Sequence, residues 1–130
     1  MTTPRRFSVV PGRFAVARLA ADAPLPPWAA AAPGPFLSIT RTPEELSIVC
    51  PEGALPDGVR AERGWALLRL LGPFPFTEVG VLASFAAPLA AAGIGIFTVS
   101  TFDTDYLLVA APQLGAACDV LLAEGHLLAG

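Results

Sequence analysis

A short polar cluster lies between two apolar runs in the second half of the chain, and it constrains the local fold more than any other feature. The apolar runs are residues 94–99 and 106–111, and the cluster between them is Ser100–Asp105. Two such runs joined by a short polar segment predict two strands and a connecting loop. Polar groups held between apolar strands often bind ligands, so this loop is either a plain turn or one wall of a site.

The segments around this loop predict a ferredoxin-like α+β unit, which we assign to residues 62–130. Apolar periodicity and turn residues give the order of the elements as strand 65–71, helix 78–92, strand 94–100, strand 106–111, helix 112–124 and strand 126–129. This βαββαβ order is typical of the ferredoxin-like split βαβ motif.

The first helix of this unit has a predicted start, buried face and end. Thr77 is expected to cap it, with Glu78 in the first turn, where the helix dipole favours an acid. Gly93 is expected just after its last residue, because glycine readily adopts the positive φ found there. The residues at the spacing of one buried helix face are Val81, Phe85 and Leu89.

The first half of the chain predicts two strand pairs around a proline-rich segment. Residues 7–19 predict a hairpin that turns at Pro11-Gly12, and residues 36–50 predict a second hairpin with a polar tip. The five prolines within residues 20–35 exclude a long helix there.

A shift of 60 residues places the hairpin at 36–49 over residues 96–109. Ser38 then falls on Thr98, Glu45 on Asp105 and Val49 on Val109, without a gap. This match suggests two copies of one small fold, the first of them degenerate and covering residues 1–61. The alternative is a chance match between two apolar hairpins with polar tips.

The apolar composition has two explanations: a membrane protein, or a soluble protein that buries apolar surface in an oligomer. The chain is 54% hydrophobic and 15% charged, with a mean hydropathy of +0.61. The longest apolar candidate, residues 79–99, is interrupted by a proline and three glycines, so we expect no membrane span.

The net charge of −3 and the absence of lysine argue against nucleic-acid binding. Cys50 and Cys118 read as core residues, a disulfide between them is unsupported, and a cytoplasmic location is expected.

The chain lacks the usual residue groupings for catalysis, metals and cofactors. The one histidine, His126, lies in a short apolar strand and is expected to be a structural or surface residue. No cysteine or histidine spacing suits a metal, and Gly93-Ile94-Gly95 follows a helix rather than a strand, which is the wrong order for a dinucleotide motif. We therefore expect no enzyme, metal or cofactor. Asp103 and Asp105 leave open a small enzyme that uses them as acid and base.

The remaining chemistry suits a small zwitterion. Backbone N–H groups at the helix start could bind a carboxylate, and Gly80 would allow close approach. Asp105 could pair with an ammonium group, and Thr101 and Phe102 could line the side-chain end. The candidate ligand-binding residues are Glu78, Val79, Gly80, Val81, Ser100, Thr101, Phe102, Asp103 and Asp105.

The two segments that carry these residues resemble ACT domains. Val79-Gly80-Val81-Leu82-Ala83-Ser84 and residues 100–109 are similar to the small tandem-ACT proteins, a subtype that also builds the CASTOR arginine sensors. Residues 13–16 and 36–51 of the first half fit the same family.

The resemblance implies a tandem of ACT-like βαββαβ units that binds an amino acid at an interface between units and regulates without catalysing. It implies that Glu78, Val81, Thr101, Phe102 and Asp105 line the pocket. The arginine sensors carry more ACT units per chain than this sequence predicts, and a homodimer would make up the number and cover apolar surface. A dimeric protein-interaction scaffold without a small ligand is the other alternative.

Overall fold

A computed structural model describes residues 3–31 and 34–130. Residues 1–2 of the predicted first unit and residues 32–33 of the proline-rich segment lie outside this description. The elements within the described residues are β1 (Arg6–Leu19), α1 (Pro27–Ala30), β2 (Ser38–Arg41), β3 (Leu46–Pro51), β4 (Ala61–Leu70), α2 (Val81–Ala91), β5 (Phe97–Ser100), β6 (Asp105–Ala110), α3 (Leu114–Ala123) and β7 (Leu127–Leu128). The order β4-α2-β5-β6-α3-β7 confirms the predicted α+β class with a ferredoxin-like second half.

The chain divides into two compact units. The major unit takes in the described residues up to Val10 together with Ala66–Gly130, and the minor unit is Pro11–Trp65. Strands β1 and β4 therefore each contribute residues to both units. No independent observation tests the predicted boundary between residues 61 and 62 as a division into ACT domains, and it stays a prediction.

The major unit is held together by a core between its strands and its two long helices. Its strands follow the order β5-β6-β4-β1-β7, and β7 pairs in parallel with Arg6 and Phe7 of β1. Phe7 is fully buried and meets the ring of Phe85 edge-on, with 6.0 Å between centroids. The buried residues of α2 are Val81, Phe85 and Leu89. This confirms the predicted helix face.

Helix α2 begins later than the sequence predicts. Its first residue is Val81, and Gly80 precedes it with φ +81°, so Thr77 does not cap the helix and Glu78 lies outside its first turn. The backbone N–H of Glu78 instead donates to the Pro75 carbonyl at 2.9 Å, which closes a separate turn before the helix. Glycine at a left-handed position resets the chain direction between that turn and the helix. The predicted end is correct, since Gly93 follows with φ +75°.

The predicted hairpin at residues 7–19 is wrong, because β1 is one strand of 14 residues. Gly12 has φ +102° inside the strand, so the Pro11-Gly12 pair makes a local irregularity without reversing the chain. Residues Phe14–Leu19 pair antiparallel with β3, while Arg6 and Phe7 pair with β7. These remote partners hold β1 extended, and the local turn preference of Pro-Gly is too weak to reverse it.

The hairpins β2–β3 and β5–β6 correspond at a shift of 59 residues, not 60. Arg41 faces Leu46 in the first hairpin, and Ser100 faces Asp105 in the second. The tips match in detail, because Thr42 N–H donates to Glu45 O at 2.9 Å and Thr101 N–H to Thr104 O at 2.8 Å. A slip of one residue moves every side chain to the other face of a strand. The counterpart of Asp105 is therefore Leu46, and Glu45 corresponds to Thr104.

The minor unit has a core of its own built on β1 and β3. Its buried residues are Ala15, Ala17, Ala29, Leu46, Ile48, Cys50 and Leu55, with Trp28 packed against them. Ala29 belongs to α1, the short helix that the prolines allow.

The second predicted helix of the major unit also starts late. Residues Ala111–Gln113 form a single 3-10 turn, and α3 runs from Leu114 to Ala123. Its buried residues are Ala117 and Leu121, whereas Leu122 is exposed. None of the helices in the described part of the chain has the length and apolar character needed to cross a membrane.

Candidate functional site

A cleft of about 260 Å³ in the major unit is lined by most of the predicted site residues. Its walls are the loop before α2 and the tip of the β5–β6 hairpin. The lining residues are Phe74, Pro75, Phe76, Glu78, Val81, Ser100, Thr101, Phe102, Asp103, Thr104 and Asp105. Seven of the nine predicted residues are among them.

The other two predicted residues, Val79 and Gly80, line a separate concavity of about 360 Å³ beside the start of α2. Thr3, Arg5 and Ser84 are also part of its wall. The short segment Glu78–Gly80 therefore separates the two concavities. Because α2 begins at Val81, only Val81 brings the helix start to the cleft.

Threonine side chains fix the shape of the hairpin tip. The hydroxyl of Thr101 donates to Thr104 O at 3.1 Å, and Thr104 N–H donates back to that hydroxyl at 3.3 Å. The hydroxyl of Thr104 is buried and donates to Leu70 O in β4 at 2.6 Å. This last bond ties the tip to the sheet, so Asp103 and Asp105 are presented from a braced loop.

The opposite wall approaches the tip through backbone contacts. Phe74 N–H donates to Asp103 O at 2.9 Å. A Cβ atom at Gly72 would lie 2.8 Å from Asp103 O, which is closer than real Cβ contacts come. Glycine at position 72 is therefore what lets this wall reach the hairpin tip.

The carboxylates of the cleft differ in their partners. Asp105 accepts a short hydrogen bond from the Ser100 hydroxyl through Oδ1. Glu78 Oε2 forms an ion pair with Arg5 Nη2 at 3.1 Å. Asp103 is exposed, and its backbone carbonyl is the atom that bonds to the opposite wall. Three carboxylates around one small cleft favour a ligand that carries a positive group.

Arg5 is the centre of a network that no local sequence pattern predicts. Its backbone N–H donates to His126 Nδ1 at 3.1 Å, and its Nη1 donates to the Ser84 hydroxyl at 3.0 Å. His126 is buried, lies flat against Phe85 with 4.0 Å between ring centroids, and has Nε2 at 2.9 Å from Ser84 O. Because Nδ1 accepts, Nε2 carries the proton and donates to Ser84 O. His126 is structural, as the sequence predicts.

Pro88 explains why the Ser84 carbonyl needs this histidine. In a regular helix the N–H of residue 88 would donate to the carbonyl of residue 84, and proline has no N–H. Pro88 lies inside α2, so Ser84 O lacks that donor. The imidazole of His126 supplies it, which links the residue just before β7 to the middle of α2.

Two exposed aromatic rings stand at the mouth of the cleft. Phe76 and Phe102 lie 5.0 Å apart between centroids with a tilt of 59°. They are 77% and 80% exposed, and the neighbouring Val79 is 86% exposed. Large apolar side chains left this open are typical of a surface that contacts a ligand or a partner.

Several cleft residues were missed by the sequence interpretation. Phe74, Pro75 and Phe76 lie in a segment that predicted only irregular structure, although its two phenylalanines beside prolines were a usable signal. Arg5 lies 73 positions from Glu78, and nothing local marks it as a partner. Within the described residues, no group of His, Cys, Asp and Glu is placed to hold a metal ion.

Comparison with known families and structures agrees with this architecture. A family model described as an ACT domain matches residues 60–123, and a model described as an N-terminal domain matches residues 12–58. A crystal structure of a protein from Agrobacterium tumefaciens is 43% identical, with 98% of this chain and 94% of that chain covered and a TM-score of 0.91. This chain belongs to the ACT domain family, which confirms the resemblance seen in the sequence.

Two further comparisons concern the type of protein and the fold. The mouse cytosolic arginine sensor for mTORC1 subunit 1 is 40% identical over 58 residues, which are 44% of this chain and only 18% of the sensor. The regulatory subunit of aspartate kinase from Thermus thermophilus is 13% identical, with 88% of this chain and 93% of that chain covered and a TM-score of 0.59. This second likeness concerns the fold alone.

Proposed function

We propose that this protein is a regulatory, non-catalytic module that binds an amino acid in the cleft between the loop before α2 and the β5–β6 tip. The observation that carries the proposal is the convergence of Glu78 and Asp105, which come from different elements, on one small cleft. Asp105 pairs with the ligand ammonium group through its carboxylate. The start of α2 at Val81 favours the ligand carboxylate, because the first backbone N–H groups of a helix and the positive end of its dipole lie at the helix start.

The size and the walls of the cleft also fit this ligand class. About 260 Å³ lies near the lower end of the range for small-molecule sites, which suits a ligand of amino-acid size. Phe76 and Phe102 offer apolar surface for the aliphatic part of a side chain. The match to an arginine sensor supports the same class of function.

The proposal includes an assembly. Residues 1–61 and 62–130 are two tandem ACT units, and two chains form a homodimer in which the exposed Phe76, Val79 and Phe102 are covered. The cleft would then lie at an interface, and the protein would work in the cytoplasm. Only the second unit carries the site, because the counterpart of Asp105 in the first is the buried Leu46.

A protein-interaction scaffold without a small ligand is the second candidate. The same exposed side chains, Phe76, Val79 and Phe102, favour it, because an apolar patch can serve a protein partner as well as a ligand. The two candidate functions differ in whether binding requires the carboxylates of the cleft.

The test is binding of the twenty amino acids, first by thermal shift and then by calorimetry. We expect at least one amino acid to stabilise the protein at about one molecule per chain. In Asp105→Asn the affinity should fall at least tenfold, because a hydrogen bond to a charged group is worth about 1.5–3 kcal/mol. The asparagine keeps an acceptor for Ser100, so the hairpin tip should stay folded.

The matched control is Asp119→Asn, an identical change on the exposed surface of α3 in the same unit. It should leave the affinity unchanged. If no amino acid up to millimolar concentration stabilises the protein, the proposed function is wrong. If both variants lose the same affinity, the site is not at Asp105.

A further inference from the structure

Arg5 contacts Glu78, one of the residues that line the cleft, and also the framework behind it. The side chain is 12% exposed, against 35% for Glu78, so the guanidinium is largely withdrawn from solvent. Its Nη2 engages one oxygen of Glu78, and its Nη1 donates to Ser84. Its main chain is fixed by His126. Arg5 is thus held from three directions and is not a mobile surface cation.

The contact changes what Glu78 offers to a ligand. Oε2 is engaged by Arg5 at 3.1 Å, so this lining residue of the cleft has one carboxylate oxygen already bonded and its charge balanced. Asp105 also has one oxygen engaged, but by the neutral hydroxyl of Ser100. Of these two carboxylates, Asp105 therefore keeps the larger unbalanced charge. A single ammonium group is matched by Asp105, while a second positive group on the ligand would meet a Glu78 that is already paired.

We propose that Arg5 is a specificity-determining residue, which sets the charge preference of the cleft by pairing with Glu78. The inference rests on the proposed function and names how that same site selects among amino acids. Arg5 limits the advantage of ligands with a cationic side chain and holds the Glu78 carboxylate in a fixed orientation. Removing Arg5 unmasks the charge of Glu78 and shifts the cleft toward dicationic ligands.

A purely structural role for Arg5 makes a different prediction. Its bonds to His126 and Ser84 anchor β1 to α2, so any change at Arg5 will lower thermal stability. Lower stability alone weakens the binding of all ligands in the same proportion. The informative quantity is therefore the ratio of dissociation constants for two ligands of similar shape and different charge.

The experiment measures L-norleucine and L-lysine, which share a four-carbon side chain and differ by the terminal ammonium group. Both are measured by calorimetry, or by displacement of the best ligand found in the amino-acid screen. In Arg5→Met we expect the preference for lysine over norleucine to rise about tenfold relative to the unaltered protein, because a residue that lines the cleft then carries an unpaired carboxylate. Arg5→Lys retains the charge and should stay within about twofold of the unaltered ratio.

Two controls separate the contact from general charge effects. Arg69→Met removes the same charge from an exposed position of β4 in the same unit and should leave the ratio unchanged. In a Glu78→Gln background, adding Arg5→Met should no longer change the ratio. If Arg5→Met fails to fold, Arg5→Gln replaces it, since its side chain is neutral and keeps hydrogen-bond donors.

The outcomes are distinct. No gain of lysine over norleucine in the neutral Arg5 variant overturns the inference, whether both ligands bind as before or neither binds. An equal gain in Arg69→Met, or a gain that persists in Glu78→Gln, also overturns it, because the effect then does not pass through the pair. If the unaltered protein binds no amino acid, the proposed function fails, and the inference fails with it.

Discussion

Gly72 shows how one small residue brings the two walls of the cleft together. Its Cα lies so near Asp103 O that an added Cβ would come within 2.8 Å of that oxygen and within 2.9 Å of Phe74 N. Both atoms belong to the backbone, so neither can swing aside. The hydrogen bond from Phe74 N–H to Asp103 O depends on this close approach.

Gly72→Ala should therefore push the wall away from the hairpin tip. We expect a loss of about 1–3 kcal/mol in the free energy of unfolding, the usual cost of forcing atoms into a packed region, and about tenfold weaker ligand binding. Urea unfolding and calorimetry measure the two effects.

Gly115→Ala is the matched control, because Gly115 lies in α3 with nothing within 4 Å of its added Cβ. That change should be neutral or stabilise the protein by about 0.5–1 kcal/mol, since alanine is the better helix former. Equal stability of the two alanine variants would contradict the role given to Gly72.

At the scale of elements, helix α2 is completed by a side chain from a distant part of the chain. Pro88 removes the N–H that would bond Ser84 O, and His126 donates to that oxygen in its place. The same imidazole accepts from Arg5 N–H. One ring thereby satisfies a carbonyl of the helix and an amide of the chain segment that leads into β1.

A double-mutant cycle tests this substitution of donors. His126→Phe keeps an aromatic ring against Phe85 but should cost about 2–4 kcal/mol, because two partly buried backbone groups lose their partners. Pro88→Ala restores a helical N–H for Ser84 O. It should recover at least about 1 kcal/mol more in the His126→Phe background than in the unaltered protein.

The measurement is urea unfolding of the four proteins. Additive effects, within about 0.5 kcal/mol, would show that Pro88 and His126 do not act on the same carbonyl.

The elements also show which parts of the fold the sequence could reveal. The face of α2 formed by Val81, Phe85 and Leu89 was readable because its periodicity is local. The start of α2 was not, because the turn closed by Glu78 N–H and the left-handed Gly80 override the capping pattern at Thr77. The long β1 was hidden for a related reason, since its pairing partners lie far along the chain.

The candidate site also contains some residues that could be predicted from the sequence and others that could not. The hairpin tip from Ser100 to Asp105 could be predicted because its polar residues are contiguous. The contribution of Arg5 could not, because no local pattern records which cation will meet Glu78 after folding. The predicted register of the repeat is off by one because the residue types match better at a shift of 60, whereas the turn threonines Thr42 and Thr101 set the shift at 59.

At the scale of the whole molecule, the two thiols make the free energy of unfolding depend on pH in the alkaline range. Burial raises the pKa of the Cys50 thiol, and burial together with the neighbouring Asp119 raises the pKa of Cys118. Below the unfolded-state pKa of about 8.5 both states hold these protons, so the thiols do not affect stability. As the pH rises above that value the unfolded chain loses its protons first, and the folded state is progressively destabilised.

We therefore expect the free energy of unfolding to fall between about pH 8 and pH 10, and to fall less steeply in Cys50→Ala. Urea unfolding under reducing conditions at a series of pH values measures both slopes. Alanine leaves a small cavity and lowers stability at every pH, so only the difference in slope is informative. Identical slopes would exclude Cys50 as a source of the pH dependence.

The pairing of the start of β1 with β7, the last strand described, has a consequence for biosynthesis. The bond between Arg5 and His126 joins residues 121 positions apart, so the ribosome makes one partner long before the other. At about 5–20 residues per second, the interval is roughly 6–24 s. During that interval Phe7 and its apolar neighbours lack their partner strand β7. An unpaired, apolar strand edge is the kind most prone to pair with another chain. A nascent chain of this protein therefore passes through a period in which its first strand needs shielding until its last strand emerges.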